Sequence, residues 1–254
     1  MDFNLSDEQA MLRDSVDRFV ADHYTSSDRA ALVYGEPGYS AEHWRLFAEL
    51  GWLGLPFDTR YGGFGGSAVD TAVLMEALGR GLVLEPYLST VVMGGGLVAA
   101  AGSEEQRETM IARIIAGELT LACAYLEPRS RFDPADVGST AAAVSGAYVL
   151  NGHKCVVYQG PFADRVIVSA RTGGERCDRD GVSLFMLRQD LPGVTRKDYK
   201  TLDGQWASDF FFSDVQLGDE ALLGAEGEAL PAIEHTLDRV VSAACAEAVG
   251  AMAA

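Results

Sequence analysis

The residue types that most often bind metals or act as nucleophiles are scattered along this sequence. The histidines do not show the ligand spacing of a metal site, and no Gly-x-Ser-x-Gly, His-Glu-x-x-His or phosphate-loop motif occurs. The cysteines form no Cys-x-x-Cys pair, so we expect buried thiols in a reducing compartment. These residues are His23, His43, His153, His235, Cys123, Cys155, Cys177 and Cys245. No metal site is predicted.

Two glycine-rich segments could allow a close approach of the backbone to a ligand. The segment Gly94-Gly-Gly-Leu-Val-Ala99 matches the Gly-x-Gly-x-x-Ala fingerprint of dinucleotide sites. That fingerprint needs a strand before it and an acidic residue about 20 residues later. Another capped helix follows here instead, so we expect these glycines to serve close helix packing. Tyr61-Gly-Gly-Phe-Gly-Gly66 is predicted to be a loop, either a flexible connector or part of a site.

Length and charge limit the possible function classes. A chain of 254 residues predicts two domains. Its net charge of −17 repels phosphate backbones and anionic lipids, so we expect neither nucleic acid nor a membrane as partner. A small anionic ligand can still be held by backbone N–H groups or a few arginines. With no apolar run near ~20 residues and no basic N-terminal signal, a soluble, cytoplasmic protein is expected.

Residues 1–117 are predicted to form an all-helical domain. Ser6 with Gln9 and Ser103 with Gln106 have the spacing of capping boxes, and Ser40 can cap a further helix. Apolar residues recur at helical spacing after each of these positions. Helices are therefore predicted from Ser6, from Ser40, over Ser67–Gly81, over Ser89–Ala101 and from Ser103 to Ala116.

Residues 118–229 are predicted to form an antiparallel β domain. Short alternating segments are separated by the turn pairs Ser145-Gly146, Asn151-Gly152, Asp180-Gly181 and Pro192-Gly193. This spacing is typical of an antiparallel barrel or sandwich. The predicted strands are Leu119–Leu126, Ser139–Val144, Ala147–Leu150, Lys154–Tyr158, Arg165–Ala170, Ser183–Leu187, Val194–Lys197 and Asp209–Leu217.

Residues 230–254 are predicted to form an apolar helix with no proline stop and no cationic last turn. We therefore expect it to be the start of a C-terminal helical domain that is otherwise absent or truncated.

Several segments, in order and over essentially the whole chain, closely resemble the acyl-CoA dehydrogenase family. They are Leu46-Phe-Ala-Glu-Leu-Gly51, Trp52-Leu-Gly-Leu-Pro56, Tyr61-Gly-Gly63, Glu76-Ala-Leu-Gly-Arg80, Gly102-Ser-Glu-Glu-Gln106, Ile115-Ala-Gly-Glu118, Glu127-Pro128, Val149-Leu-Asn-Gly-His-Lys154, Pro192-Gly-Val194, Phe212-Ser-Asp-Val215, Leu222-Leu-Gly224 and Glu226-Gly227. A narrower resemblance is to the small subunits of bacterial pimeloyl-CoA dehydrogenases. It rests on Met1-Asp-Phe3, Leu12-Arg-Asp-Ser-Val16, Leu84-Glu-Pro-Tyr-Leu88, Val168-Ser-Ala-Arg-Thr172 and Cys245-Ala-Glu-Ala-Val-Gly-Ala-Met252.

The resemblance implies the fold and the reaction. The fold would be a helical domain, an antiparallel β-barrel domain and a C-terminal helical bundle, with FAD between the last two. A glutamate removes the α-proton of an acyl-CoA thioester while the β-hydrogen passes to the flavin as hydride. In most of the family that glutamate belongs to the C-terminal domain. We therefore assign no catalytic residue to this chain and expect it to be inactive alone.

The resemblance also implies cofactor-binding residues. The family pattern Thr-Glu-Pro-x-x-Gly-Ser-Asp becomes Leu126-Glu-Pro-Arg-Ser-Arg-Phe-Asp133, and its Trp-Ile-Thr segment becomes Val156-Val-Tyr158. Leu126 and Val156 lose a hydroxyl and an aromatic platform, whereas Tyr158 could restore a hydroxyl donor. The predicted FAD contacts are Tyr125, Leu126, Phe132, Val156, Val157 and Tyr158, with ordinary strand packing as the alternative. A cleft is expected where the strands carrying Tyr125 and Tyr158 end.

The predicted substrate-binding residues are Leu88, Ser89, Arg131, Ser208 and Asp209. Leu88 and Ser89 would line the acyl pocket, and Ser208 and Asp209 match a stretch near the pantetheine channel. Arg129 and Arg131 could hold a CoA phosphate, although we favour ion pairs with Asp133 and Asp136.

Three functions remain open at this point. The chain could be a subunit of an acyl-CoA dehydrogenase, a partner subunit with little or no flavin of its own, or an acyl-CoA oxidase or flavin monooxygenase. The expected partners are an acyl-CoA substrate, an electron-transfer acceptor, and either further copies of the chain or a large acyl-CoA dehydrogenase subunit.

Overall fold

The computed structural model describes residues 4–254, so the resemblance at Met1-Asp-Phe3 lies outside the described residues. The first part of the chain is helical, as expected. Its elements are α1 (Asp7–His23), α2 (Ser26–Tyr34), α3 (Ala41–Glu49), α4 (Ala68–Arg80), a π-helical segment (Tyr87–Gly95), α5 (Gly96–Ala101) and α6 (Glu104–Ile115). Short 3₁₀ turns at Trp52–Gly54 and Thr59–Tyr61 precede α4.

The helix starts follow from their caps. The capping boxes predicted at Ser6 and Ser103 are both present, and the Ser40 hydroxyl accepts the N–H of His43. Helix α2 was not predicted. It starts with a capping box at Thr25, but none of its residues is buried, so the sequence shows no apolar stripe there.

The glycine run after Val92 serves packing, as expected. The predicted helix Ser89–Ala101 is present as the π-helical segment followed by α5. A Cβ at Gly94 would lie 2.5 Å from the Leu121 side chain, and one at Gly95 would lie 2.4 Å from Phe57. Larger residues would push this segment away from the sheet and from the loop that carries Phe57.

The second part of the chain is a β domain with the strand order β6-β7-β3-β2-β4-β5-β8. Most neighbours are antiparallel, which confirms the expected domain type. Two pairings are parallel: β1 runs beside β4, and β2 meets β4 at Thr140 and Arg171. The strands are β1 (Leu121–Ala124), β2 (Thr140–Ala143), β3 (Ala147–Tyr158), β4 (Arg165–Arg171), β5 (Val182–Leu187), β6 (Val194–Lys200), β7 (Trp206–Gly218) and β8 (Leu222–Leu223).

The turn predicted at Asn151-Gly152 is wrong, because β3 continues through it as one strand. The Asn151 amide donates to Asp214 Oδ1 (3.1 Å), and Asn151 Oδ1 accepts the Asp214 N–H (2.9 Å). A Cβ at Gly152 would lie 2.2 Å from Ser139 Oγ, so the glycine allows a close approach rather than a turn. The turn before β3 is at Ser145-Gly146, as predicted, with both residues at positive φ.

Two apolar cores support this arrangement. One lies within the β domain, around Leu150, Phe185 and Phe210. The other joins the helices to one side of the sheet and to helix α7 (Leu230–Ala253), through residues such as Phe57, Ile167 and Leu230. The chain therefore shows the expected order of helical domain, β domain and C-terminal helix. The domain limits at residues 117 and 229 stay predictions.

The cysteines only partly follow the expectation. All four thiols are free, but Cys177 and Cys245 are exposed, so the expectation of buried thiols is wrong for these two. Both are in polar or solvent-facing stretches, the Gly173–Asp180 loop and the outer side of α7. Over residues 4–254, no helix is long and apolar enough to cross a membrane.

Candidate functional site

The structure brings together the ends of two strands that carry predicted cofactor-binding residues. The Cys155 N–H donates to the Leu126 carbonyl (2.9 Å). This bond holds the segment after β1 beside the C-terminal end of β3. Burial, with smaller contributions from Cys123 and the Tyr158 phenol, raises the pKa of Tyr125. Tyr125 and Leu126 therefore lie next to the Val156–Tyr158 segment, as the resemblance implies.

A β-bulge gives the Val156–Tyr158 segment its shape. Val157 is fully buried, whereas Val156 and Tyr158 on either side are 36% and 49% exposed. Val156 has a φ of 52°, which β-branched residues rarely adopt. An apolar side chain and a phenol are thus presented to solvent around one buried residue.

A buried ion pair fixes the segment that follows Leu126. Lys154 Nζ lies 2.7 Å from Glu127 Oε1 and 3.0 Å from Ser169 Oγ, with side-chain exposures of 0% for Lys154 and 8% for Glu127. Glu127 also accepts the N–H groups of Gly138 and Ser139 and the Ser139 hydroxyl. Burial alone would raise the pKa of Glu127, but the Lys154 ammonium and these hydrogen bonds lower it. Glu127 thus stays a carboxylate in a nearly dry site.

The loop after Pro128 keeps an unusual backbone without glycine. Arg131 and Phe132 stand where the family pattern has Gly-Ser, and both have positive φ, 48° and 68°. Phe132 is 82% exposed. Such conformations persist only where the surroundings impose them. The loop therefore has a backbone conformation that favours glycine at two positions where this chain has none.

The ion pairs favoured for Arg129 and Arg131 are wrong. Asp136 pairs with Arg176, and Asp133 Oδ1 accepts the Ala135 N–H at 2.9 Å. Neither Arg129 nor Arg131 has a hydrogen-bond or ion-pair partner within residues 4–254, and both are exposed. Two cations are left facing solvent in an acidic chain.

The predicted substrate residues on β7 are engaged within the protein. The Ser208 hydroxyl donates to Asp198 Oδ1 at 2.7 Å, and Ser208 is fully buried. Asp209 Oδ1 accepts the Val156 N–H (3.1 Å) and the Tyr199 hydroxyl (2.9 Å). Their direct contact with a substrate stays a prediction.

Leu88 and Ser89 lie at the start of the π-helical segment. In sequence they are far from the other predicted site residues. Both are half-buried, and the Ser89 hydroxyl donates to the Pro86 carbonyl (3.3 Å). Glu85 anchors the chain just before this segment, because its buried carboxylate accepts bonds from the Tyr24 hydroxyl and the Ser40 N–H. The structure gives no contact that joins Leu88 or Ser89 to Tyr158 among the described residues.

Two cavities formed by residues 4–254 lie elsewhere. One, of about 30 Å³, is lined by residues that include Phe57, Val92 and Arg239, between α4, the π-helical segment and α7. The other, of about 380 Å³, lies between α5, β8 and the start of α7. Neither is lined by Tyr125 or Tyr158, so neither is the cleft expected at those strand ends. Val156, Tyr158 and Phe132 are each exposed instead.

Three supporting side chains were not predicted from the sequence. Tyr199 and Asp198 on β6 bind the side chains of Asp209 and Ser208 across the strand pair. The third, Arg171, is buried and holds the loop after β4 by donating to the carbonyls of Ala135, Gly173, Arg176, Asp178 and Asp180. The residue types along β6 do not indicate these partners, since the contacts depend on strand register.

The surface at these strand ends partly fits a flavin ring system. Exposed Val156 and Tyr158 beside half-buried Leu126 offer apolar area, and Arg131 and Phe132 have the positive φ that glycine adopts readily. The fit is poorer for polar contacts, because Leu126 has no hydroxyl. Among the predicted FAD-binding residues, Tyr125 and Tyr158 carry a hydroxyl donor and the others do not.

Comparison with known proteins gives a consistent result. The sequence matches "Acyl-CoA dehydrogenase, N-terminal domain" over residues 6–118 and "Acyl-CoA dehydrogenase, middle domain" over residues 122–215. A probable acyl-CoA dehydrogenase of Bacillus subtilis is 29% identical over 98% of this chain and 67% of its own length.

Two solved structures are similar along nearly the whole chain. The FAD complex of PigA has a TM-score of 0.88 at 26% identity and is matched over 100% of this chain and 67% of its own. The ChsE4-ChsE5 complex of Mycobacterium tuberculosis has a TM-score of 0.82 at 27% identity, over 94% of this chain and 61% of the matched one. The chain spans about two-thirds of the length of these proteins. Through its helical and β domains, the chain belongs to the acyl-CoA dehydrogenase family of flavoproteins.

Proposed function

We propose that this chain is a subunit of an FAD-dependent acyl-CoA dehydrogenase that removes the α- and β-hydrogens of an acyl-CoA thioester. The observation that carries the proposal is the joined pair of strand ends, where Cys155 binds Leu126 and the bulge presents Val156 and Tyr158. These are the positions that the family resemblance assigns to the flavin. FAD, when bound, would supply the hydride acceptor.

The residues of this chain would bind and orient rather than react. Val156 and Leu126 would provide the apolar contact, and Tyr125 and Tyr158 would provide hydroxyl donors near the ring system. The Val157 side chain is fully buried, so Val157 would contribute only its backbone. Arg131 has no protein partner among the described residues, so it is free to bind an anionic group of the CoA moiety. Leu88 and Ser89 would lie along the acyl chain. No residue of the chain is assigned as the base that removes the α-proton.

A second candidate is a partner subunit that binds little or no flavin and completes a neighbouring large subunit. Specific observations favour it: Leu126 lacks a hydroxyl, Val156 lacks an aromatic platform, and Phe132 projects into solvent beside the site with 82% exposure. The resemblance to pimeloyl-CoA dehydrogenase small subunits supports this candidate. So does the similarity to a protein solved as a complex of two named subunits.

Flavin titration separates the two candidates. The purified chain is mixed with FAD, alone and together with a co-expressed large acyl-CoA dehydrogenase subunit, and bound flavin is followed by absorbance and fluorescence. Binding by the chain alone, with bleaching by an acyl-CoA in the absence of oxygen once the partner is added, supports the dehydrogenase subunit. A colourless chain that is needed for the partner's activity supports the second candidate. A chain that binds neither FAD nor a partner contradicts both, and rapid reoxidation by oxygen would indicate an oxidase or monooxygenase.

A further inference from the structure

The bulge at Val156 is an insertion of one residue into β3. Lys154 pairs with Phe210 on β7, and Val157 pairs with Ser208. Three steps along β3 therefore correspond to two steps along β7, so Cys155 and Val156 together face Asp209. The extra residue changes the alternation of side chains, which is why Val156 and Tyr158 are exposed on either side of buried Val157.

The bulge needs support, because its conformation is unfavourable for the residue that adopts it. Val156 is β-branched and has a φ of 52°, where its side chain crowds the backbone. Unlike glycine, valine does not populate this region readily in a free chain. Some local interaction must therefore hold the backbone in place.

The support is a hydrogen-bonded pair on the two neighbouring strands. Asp209 Oδ1 on β7 accepts the Val156 N–H at 3.1 Å, and the same oxygen accepts the Tyr199 hydroxyl from β6 at 2.9 Å. Burial, and then the hydrogen bond to Asp209, raise the pKa of Tyr199 to about 12, so the phenol remains a donor at neutral pH. Because Tyr199 fixes the carboxylate, the carboxylate in turn fixes the N–H of the bulge.

We propose that Asp209 and Tyr199 are positioning residues that hold the Val156 bulge and thereby present Val156 and Tyr158 to the flavin. This inference rests on the proposed function, because it assumes that FAD binds at this surface. It gives Asp209 a different task from the substrate contact that the family resemblance implies. In this role Asp209 acts through the backbone of Val156.

The test uses four substitutions and one combination of two of them. Asp209→Ala removes the acceptor, Asp209→Asn keeps an acceptor oxygen, and Tyr199→Phe removes only the second donor. Val156→Gly relieves the backbone strain and is combined with Asp209→Ala. The measurements are hydrogen exchange of the Val156 amide in the flavin-free chain, FAD affinity by fluorescence and the visible spectrum of bound FAD in the full complex, and melting temperature.

The expected pattern distinguishes positioning from general stability. Asp209→Ala should speed exchange of the Val156 amide and weaken FAD binding by about tenfold, with a smaller loss for Tyr199→Phe. Asp209→Asn should restore binding to within about twofold of the wild type, because the N–H keeps an acceptor. In the Val156→Gly background, Asp209→Ala should weaken FAD binding much less, since glycine holds the bulge without strain. A change in the visible spectrum of bound FAD should accompany the weaker binding.

Two outcomes would overturn the inference while leaving the proposed function intact. One is wild-type FAD affinity and spectrum in Asp209→Ala. The other is a loss of affinity from Asp209→Ala that is equal with and without Val156→Gly and tracks the melting temperature. If the wild-type chain binds no FAD with or without its partner, the proposed function and the flavin role both fail. Slow Val156 exchange that Asp209→Ala accelerates would then still show that the pair holds the bulge.

Discussion

Glu127 and Lys154 belong to two sequence segments that are far apart, and their ion pair joins those segments under the candidate site. The resemblance identifies Glu127-Pro128 and Asn151-Gly-His-Lys154 separately, but it does not pair them. Their contact at 2.7 Å is nearly free of solvent exposure, and such pairs are costly to break by removing one partner, because the other charge is left buried. The pair therefore fixes where the loop at Leu126 meets β3.

Glu127→Gln should destabilise the protein at pH 7 by about 3 kcal/mol, because the buried Lys154 ammonium loses its counter-ion and must either stay uncompensated or release its proton. The pKa of Glu127 is lowered in the folded state. The stabilisation by its carboxylate is therefore complete above its unfolded pKa of about 4.3 and is lost as the pH falls through the folded value. Urea unfolding at pH 7 and near pH 3.5 should show a large difference from wild type at the first pH and a smaller one at the second. Glu118→Gln, at an exposed position, is the control, and an equal difference at both pH values would contradict the prediction.

The sequence motifs predict which residues belong to the candidate site better than they predict which side chains contact one another. Tyr125, Leu126, Val156 and Tyr158 lie close together, as expected from the resemblance. The bonds of Asp209 to Val156 and Tyr199 could not be predicted, because they depend on a one-residue bulge that sets the register of three strands. The missing ion pairs of Arg129 and Arg131 have a similar cause, since Asp136 is taken by Arg176 from a loop 40 residues later.

Helices and strands form where the local sequence predicts them, provided that no tertiary contact competes with the local preference. Capping boxes at Ser6 and Ser103 predict α1 and α6, and Ser145-Gly146 predicts the hairpin before β3. Asn151-Gly152 fails as a turn because tertiary partners use both residues, Asp214 for the amide and Ser139 for the space beside the glycine. The short helix α2 fails for the opposite reason, since it buries no side chain that could reveal its period.

The crossing of α4 and α7 depends on two glycines. A Cβ at Gly79 would lie 2.1 Å from the Glu247 carbonyl oxygen, and one at Gly250 would lie 1.9 Å from that of Glu76. Each glycine thus lets the other helix approach to backbone contact. This crossing is hard to predict from the sequence, because Gly250 also fits the end of a helix.

Gly250→Ala should destabilise the protein by about 2 kcal/mol, since the methyl group forces the helices apart. Alanine favours an isolated helix over glycine by about 1 kcal/mol, so any net loss must come from the crossing. Urea unfolding measures the change. Gly173→Ala is the matched control, because nothing lies within 4 Å of the added carbon there and its φ is not in the left-handed region. Similar stabilities for the two variants would contradict the close crossing.

At the scale of the whole molecule, the two domains share a core instead of meeting at a polar boundary. Phe57 and Val91 from the helical domain pack in one cluster with Ile167 and Leu184 from the sheet, and with Ile233 from α7. Gln106 adds a polar link, because its side chain caps α6, donates to the Leu222 carbonyl (2.7 Å) and accepts the Gly224 N–H (3.2 Å). Separating the domains would expose apolar surface and would also break the bonds of Gln106 to Leu222 and Gly224.

The chain should therefore unfold in one cooperative step, although its length and its two families of elements predict two domains. Trp44 and Trp52 are buried in the helical part, and Trp206 is on β7, where a Cβ at Gly38 would lie 2.6 Å from its ring. In Trp206→Phe, fluorescence reports the helical part, whereas far-ultraviolet circular dichroism reports helices and strands together. The two urea midpoints should agree within about 0.2 M, as expected for one cooperative unit. An early fluorescence change followed by a separate loss of strand signal would show that the helical domain unfolds first, so that the shared core contributes little to joining the domains.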